Sequence, residues 1–259
     1  PVLSINDVTV NEGDLASFTV SLSPVSSRDV SFNWVTQDNT ATNPGDYNSN
    51  SGSVTIPGGS TTVSLDVTTV ENATYESSET FRIQISSPGN AVIGDDIGVG
   101  TINDDDGVPS LSINDVGVTE GGTATFTVSL TGATELTTTV NWTTANGTAI
   151  SPDDYTFNTG SLSFTPGETT KTIDVVTIDD SSDEAAQTFS VTLSGENNAT
   201  VADASGVATI SDNDSNPSIS IADGSATEGG GVSFLVSLSA ASEQDVTVDW
   251  ATADNTAVS

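Results

Sequence analysis

The sequence contains no cysteine, no histidine and no methionine, and only three of its 259 residues, Arg28, Arg82 and Lys171, are positively charged. The absence of cysteine excludes disulfides, thiolate metal sites and a cysteine nucleophile. The absence of histidine removes the commonest general base and the commonest zinc or iron ligand. So few cations exclude nucleic acid as a partner, because phosphate backbones are held by clustered Lys and Arg. No apolar run approaches the ~18 residues of a membrane-crossing helix, and none reads as a signal peptide.

What the chain has instead is acid: 36 carboxylates and a formal charge of -33. The densest stretch, Asn103-Asp104-Asp105-Asp106-Gly107, returns as Ser211-Asp212-Asn213-Asp214-Ser215. Consecutive carboxylates repel one another and must be either fully hydrated or neutralised by a cation.

Landmarks recur at a constant offset of 108 residues: Leu3-Ser4-Ile5, Leu111-Ser112-Ile113 and Ile219-Ser220-Ile221; Glu12, Glu120 and Glu228; Trp34, Trp142 and Trp250. Such regularity means tandem copies. The boundaries expected are residues 1–108, 109–216 and an incomplete third copy, 217–259. Fifteen carboxylates fall in the first copy, fifteen in the second and six in the third, so the charge belongs to every repeat and not to a tail. Solubility or a salty medium accounts for charge alone, whereas acids gathered at repeated positions point to a divalent cation.

The periodicity is that of strands. In Ala16-Ser17-Phe18-Thr19-Val20-Ser21-Leu22 apolar residues alternate with small hydroxyl residues, and Ala124 to Leu130 and Val232 to Leu238 repeat the pattern. Pro57-Gly58-Gly59 and Pro166-Gly167-Glu168 are read as hairpin turns. About seven strands in about 100 residues, with a Trp on the third, predict an immunoglobulin-like antiparallel β-sandwich in each complete copy. All three Trp residues are expected in cores, and Asp38, Asn146 and Asp254 are expected to shape turns. Pro109 and Pro217 stiffen the short connections, so an extended rod is the expected arrangement.

The ordered set Glu12-Gly13, Thr36 to Ala41, Gly45-Asp46-Tyr47, Glu76-Ser77-Ser78-Glu79-Thr80-Phe81 and Ile102 to Asp106 resembles a Calx-β domain. So does Glu120-Gly121, Thr144 to Ala149, Asp153-Asp154-Tyr155, Asp179-Asp180, Asp183-Glu184 and Ile210 to Asp214. That family is known from regulatory domains of sodium/calcium exchangers, from integrin β4 and from bacterial surface proteins. The resemblance implies a seven-stranded sandwich with calcium held among acidic loops at one end. It implicates Glu12, Asp46, Glu71, Glu76, Glu79, Asp104, Asp105 and Asp106 in the first copy. In the second it implicates Glu120, Asp154, Asp179, Asp180, Glu184, Asp212 and Asp214.

Calcium suits such a set because it takes about six to eight oxygen ligands, which loops can gather from distant positions, whereas magnesium tends to keep its waters. The copies differ: Glu71-Asn72 stands where the second has Asp179-Asp180, while Gln187 and Asn213 replace the acids at Glu79 and Asp105. Each loss of charge is expected to weaken or remove an ion, with roughly one to three ions per complete copy. The second joint is expected to bend more because of Asn213.

No insertion forms a cleft for a carboxylate pair to hydrolyse a sugar, so no enzymatic activity is expected. The reading is a calcium-binding, structural or adhesive repeat region of an extracellular, bacterial surface protein or filament. The alternatives are a calcium-sensing module of a membrane transporter and a metal-free spacer. The incomplete copy reads as part of a longer array, or as an element completed by another copy of the chain through strand addition.

Overall fold

The computed structural model describes residues 1–253, so Asp254 lies outside the described residues. The chain splits into two compact units: Pro1–Pro109 with Thr131–Thr137 and Thr165–Glu168, and the remainder from Ser110. Among the described residues there is no helix long and apolar enough to cross a membrane.

In the first unit the chain runs through β1 (Val2–Ile5), β2 (Val8–Asn11), β3 (Leu15–Ser23), β4 (Val30–Asp38), β5 (Ser51–Ile56), β6 (Thr62–Thr68), β7 (Thr74–Tyr75), β8 (Glu79–Gly89), β9 (Val92–Asp95) and β10 (Ile97–Asn103). One sheet has the order β6-β3-β1-β9 and the other β2-β10-β8-β4-β5. This is the expected all-β immunoglobulin-like sandwich, with nine strands in its two sheets.

The count exceeds seven because the first expected strand divides between the sheets and β9 adds a strand beside β1. The side chains of Asn6 and Asp7 hold the bend: Asn6 Oδ1 accepts from the Thr19 amide at 2.6 Å, and Asp7 Oδ1 from the Val99 amide at 2.8 Å. After the bend, β2 pairs in parallel with β10, Val8 opposite Gly100 and Asn11 opposite Asn103.

The second copy repeats the plan with β11 (Ser110–Ile113), β12 (Val116–Thr119), β13 (Thr123–Thr131), β14 (Ala133–Thr134), β15 (Thr138–Asn146), β16 (Thr159–Phe164), β17 (Thr170–Val176), β18 (Gln187–Asn197), β19 (Thr200–Asp203) and β20 (Ser205–Ser211). Its sheets have the orders β17-β13-β11-β19 and β12-β20-β18-β15-β16. The short β14 belongs to the first unit, where it pairs with β7.

Alternation explains the core. On β3, Ala16, Phe18, Val20 and Leu22 are buried while Ser17 is exposed. Phe18 meets Phe81 edge-on at 5.8 Å and Tyr47 stacks on Phe81 at 4.6 Å. Phe126, Phe189 and Tyr155 repeat the arrangement. Burying each such side chain contributes about 1.5–3 kcal/mol.

The Tyr47 hydroxyl donates to Asp38 Oδ1 at 2.6 Å, and the same oxygen accepts from the Asn43 amide, so Asp38 ties a turn to the core. Asn146 does this for Tyr155. Tyr47→Phe is therefore expected to cost about 1–2 kcal/mol in a urea melt, with the stacked ring retained.

Two expectations are corrected. Pro57-Gly58-Gly59 and Pro166-Gly167-Glu168 do not close hairpins, because β5 and β6, like β16 and β17, lie in different sheets. The turn carries the chain from one layer to the other, with Gly59 at φ 92° and Gly167 at φ 84°.

Trp250 is not a core residue. It is 84 % exposed, against 8 % for Trp34, and Trp142 is partly buried. The third copy pairs only β21 (Ile219–Ile221) with β22 (Val236–Leu238), and no strands among its described residues play the part of β5 and β8.

Candidate metal centre

Strand pairing assembles the centre of the first unit. The Glu12 amide donates to the Asn103 carbonyl at 3.0 Å, extending the parallel β2–β10 register by one residue and setting Glu12 beside the acidic run. Gly13, at φ 74°, then turns the chain, and a side chain there would strike the Glu71 carboxylate. Glu120, with its amide bonded to the Ser211 carbonyl at 3.1 Å, repeats the placement.

Among the described residues three groups bring carboxylate oxygens within 4.8 Å of one another: Glu12, Asp104 and Asp106; Asp46, Glu76 and Glu79; and Glu120, Asp180 and Asp214. Asp104 and Asp106 supply their oxygens just past the end of β10. Asp105 instead accepts from the Asn11 side chain at 3.3 Å. Members of the two first-unit groups line one small cavity with Val70 and Ile102.

Glu12 is only 7 % exposed, and its Oε1, Asp104 Oδ1 and Asp106 Oδ2 are buried with no hydrogen-bond partner. Orphaned buried acceptors are costly and demand an explanation. Burial pushes Glu12 up to about 7 from the ordinary 4.5, helped by the charges of Asp106, Glu71 and Asp104. Glu79 is raised to about 7 by burial, then by its hydrogen bond to Asp46 and that residue's charge. A proton held between two carboxylates stands where a cation's charge would serve.

Asp46 is fixed by the Thr42 amide, which donates to its Oδ2 at 2.6 Å. Asn72, expected only as a loss of charge beside Glu71, donates through Nδ2 to Glu12 Oε2 at 3.0 Å and to Glu76 Oε1 at 3.3 Å, joining the two groups.

A Calx-beta domain model matches residues 3–106 and again residues 102–216. The chain belongs to the Calx-beta domain family. Similar solved structures are CBD12 from CALX1.2 (24 % identity, 76 % of this chain and 81 % of that one, TM-score 0.41) and the calcium binding domain CBD12 of CALX1.1 (23 %, 75 % and 79 %, 0.40). The apo-form Calx CBD1 domain is 21 % identical over 42 % of this chain and 100 % of that one, at TM-score 0.40. No curated protein matches the chain.

The second Calx-beta domain builds its cluster differently. Asp180 takes the place of Asn72 beside Glu120 and Asp214, and Asp214 Oδ2 is buried without a partner. The Asn213 amide donates to Glu120 Oε1 and its side-chain nitrogen to Asp179 Oδ1, both at 3.0 Å, so Asn213 satisfies two acids as a donor. Asp212 adds its charge at Glu120, whose pKa is raised chiefly by burial.

The remaining predicted acids, Asp154 and Glu184, lie together with Gln187. Glu184 is pushed up to about 7 by burial and then by Glu243, Asp180 and Asp154. Gln187 donates to Glu184 Oε2 at 3.0 Å and leaves its own buried Oε1 unpartnered.

The acids that sequence reasoning missed are Asp183, only 5 % exposed, with Glu135 and Glu243. The last two stand 108 residues apart, so the repeat offset carried the signal.

Proposed function

We propose that the acidic clusters of the two Calx-beta domains bind calcium, and that the chain is a non-catalytic structural or adhesive repeat region of an extracellular surface protein or filament. In this reading calcium neutralises the acids where repeats meet and stiffens the joints. The observation that carries it is the set of buried, unpartnered carboxylate oxygens of Glu12, Asp104 and Asp106, facing one another with no cationic side chain among them. Glu12, Asp104 and Asp106 would hold one ion and Asp46, Glu76 and Glu79 a second; Glu120, Asp180 and Asp214 would hold an ion in the second domain. An all-oxygen, carboxylate-rich set fits calcium, whose bound charge turns mutual repulsion into cohesion.

Calorimetric titration of chelator-stripped protein is expected to give heats for ions in both domains, at about 10⁻⁴ to 10⁻³ M for an extracellular module. Dissociation constants of about 10⁻⁷ to 10⁻⁵ M would instead identify a sensor module such as one beside a transporter. No heat in either domain would leave the metal-free spacer.

A further inference from the structure

Glu135 is an exposed residue far in sequence from the first unit's acids, yet the backbone delivers it to them. Strands β7 and β14 pair in parallel, Ala133 opposite Thr74 and Thr134 opposite Tyr75, so the next step of the register sets Glu135 across from Glu76. The Tyr75 carbonyl accepts twice, from Thr134 Oγ1 at 3.0 Å and from the Glu135 amide at 3.2 Å. Thr134 Oγ1 in turn accepts from the Leu136 amide at 2.9 Å.

The same device recurs 108 residues on, within the second unit. Ser242 forms a parallel bridge with Asp183, whose carbonyl accepts from Ser242 Oγ at 3.3 Å and from the Glu243 amide at 3.0 Å. Ser242 Oγ likewise accepts from the Gln244 amide at 3.1 Å. The position across from the bridge changes from Tyr75 to Asp183, but the backbone bonds and the glutamate are retained.

Like charges set directly opposite across paired strands are destabilising. Here the register sets Glu135 across from Glu76, and the charge of Glu243 acts on Glu184. A glutamate docked twice by one hydrogen-bond pattern beside other acids is stabilised where a positive charge joins them. The cavity beside it holds more than acids at a surface: Glu12, 7 % exposed, lines it with Glu76 and Glu79 and keeps Oε1 unpartnered.

We propose that Glu135 and Glu243 are cation ligands, each adding a carboxylate to a divalent ion held by the acids it faces: Asp46, Glu76 and Glu79 for Glu135, and Asp154 and Glu184 with the Gln187 amide oxygen for Glu243. Ion binding and docking of the glutamate-bearing segment are then one event. This rests on the calcium reading of the same clusters and adds a ligand that comes from outside the copy that carries them.

The test is calorimetry with calcium chloride and amide hydrogen exchange on the full chain, comparing wild type with Glu135→Gln, Glu243→Gln and the control Glu196→Gln. Glu135 and Glu243 are exposed, so the substitutions leave the cores intact. Glu135→Gln is expected to weaken one first-unit ion about tenfold, since affinity follows the charge of the ligand set, and Glu243→Gln to do the same in the second unit. Calcium should slow exchange of the Glu135 amide in wild type and in Glu196→Gln but not in Glu135→Gln. Equal calcium affinities in wild type and Glu135→Gln, with exchange indifferent to calcium, overturn the role of Glu135 alone. A wild-type chain that takes up no calcium overturns the calcium reading as well.

Discussion

Calcium at about 10 to 100 times its dissociation constant should raise the unfolding midpoint of the chain by about 10 °C relative to the same chain in chelator. An ion that binds only the folded state contributes about 1.4–2.7 kcal/mol at those concentrations, and each kcal/mol moves the midpoint of a domain near 100 residues by about 4–8 °C. Glu12→Gln should narrow the difference. It removes a buried charge from among Asp104, Asp106 and Glu71, so the calcium-free first unit becomes more stable, while the calcium-induced gain of that unit shrinks. Scanning calorimetry of both proteins with and without chelator reads both effects. A calcium shift that Glu12→Gln leaves intact would sink the assignment of that residue.

Acidification should act in opposite directions on the calcium-free and calcium-loaded chain. Glu12, Glu79 and Glu184 have folded-state pKa values of about 7 against an ordinary 4.5. Between those values the folded chain holds protons that the unfolded chain has released, so folding stability rises as pH falls. The gain is fully present below 4.5 and is lost as pH rises through 7. Relief of self-repulsion in a chain of charge -33 acts in the same direction. With calcium bound, protons compete for the same oxygens, so stability falls as pH falls and the two curves converge. Midpoints measured from about pH 8 to about pH 5 in chelator and in calcium decide the matter. A chelated chain that steadily loses stability over that range would contradict the account.

The core was legible because strand alternation is a local property: the same small-residue spacing that buries Phe18 and Val20 buries Phe126 and Val128. The division of the first strand was not, since it depends on Asn6 and Asp7 finding amides at Thr19 and Val99. Trp250 misled for a related reason. A pattern states which face is apolar, and burial requires a second sheet to cover that face.

At the candidate metal centre the acids could be named from resemblance and repetition, but their grouping could not. That grouping comes from the parallel β2–β10 register, from the turn at Gly13 and from the hydrogen bond that draws Asp105 to Asn11. The donor role of Asn72 was not legible because the amide registered only as a lost charge, and Glu135 escaped notice because its neighbours lie more than fifty residues upstream.

The parallel pairing of the first strands with the last ones has a mechanical meaning. β2 enters a unit near its beginning and β10 leaves it at its end, and their rungs join Val8 to Gly100 through Asn11 to Asn103. Tension applied at the two ends of such a unit pulls these strands past one another along their length. It therefore strains the rungs together in shear and does not peel them open singly. Glu12 sits at the far end of that ladder, its amide on the Asn103 carbonyl, so the acidic cluster lies at the end where β10 would take up the load.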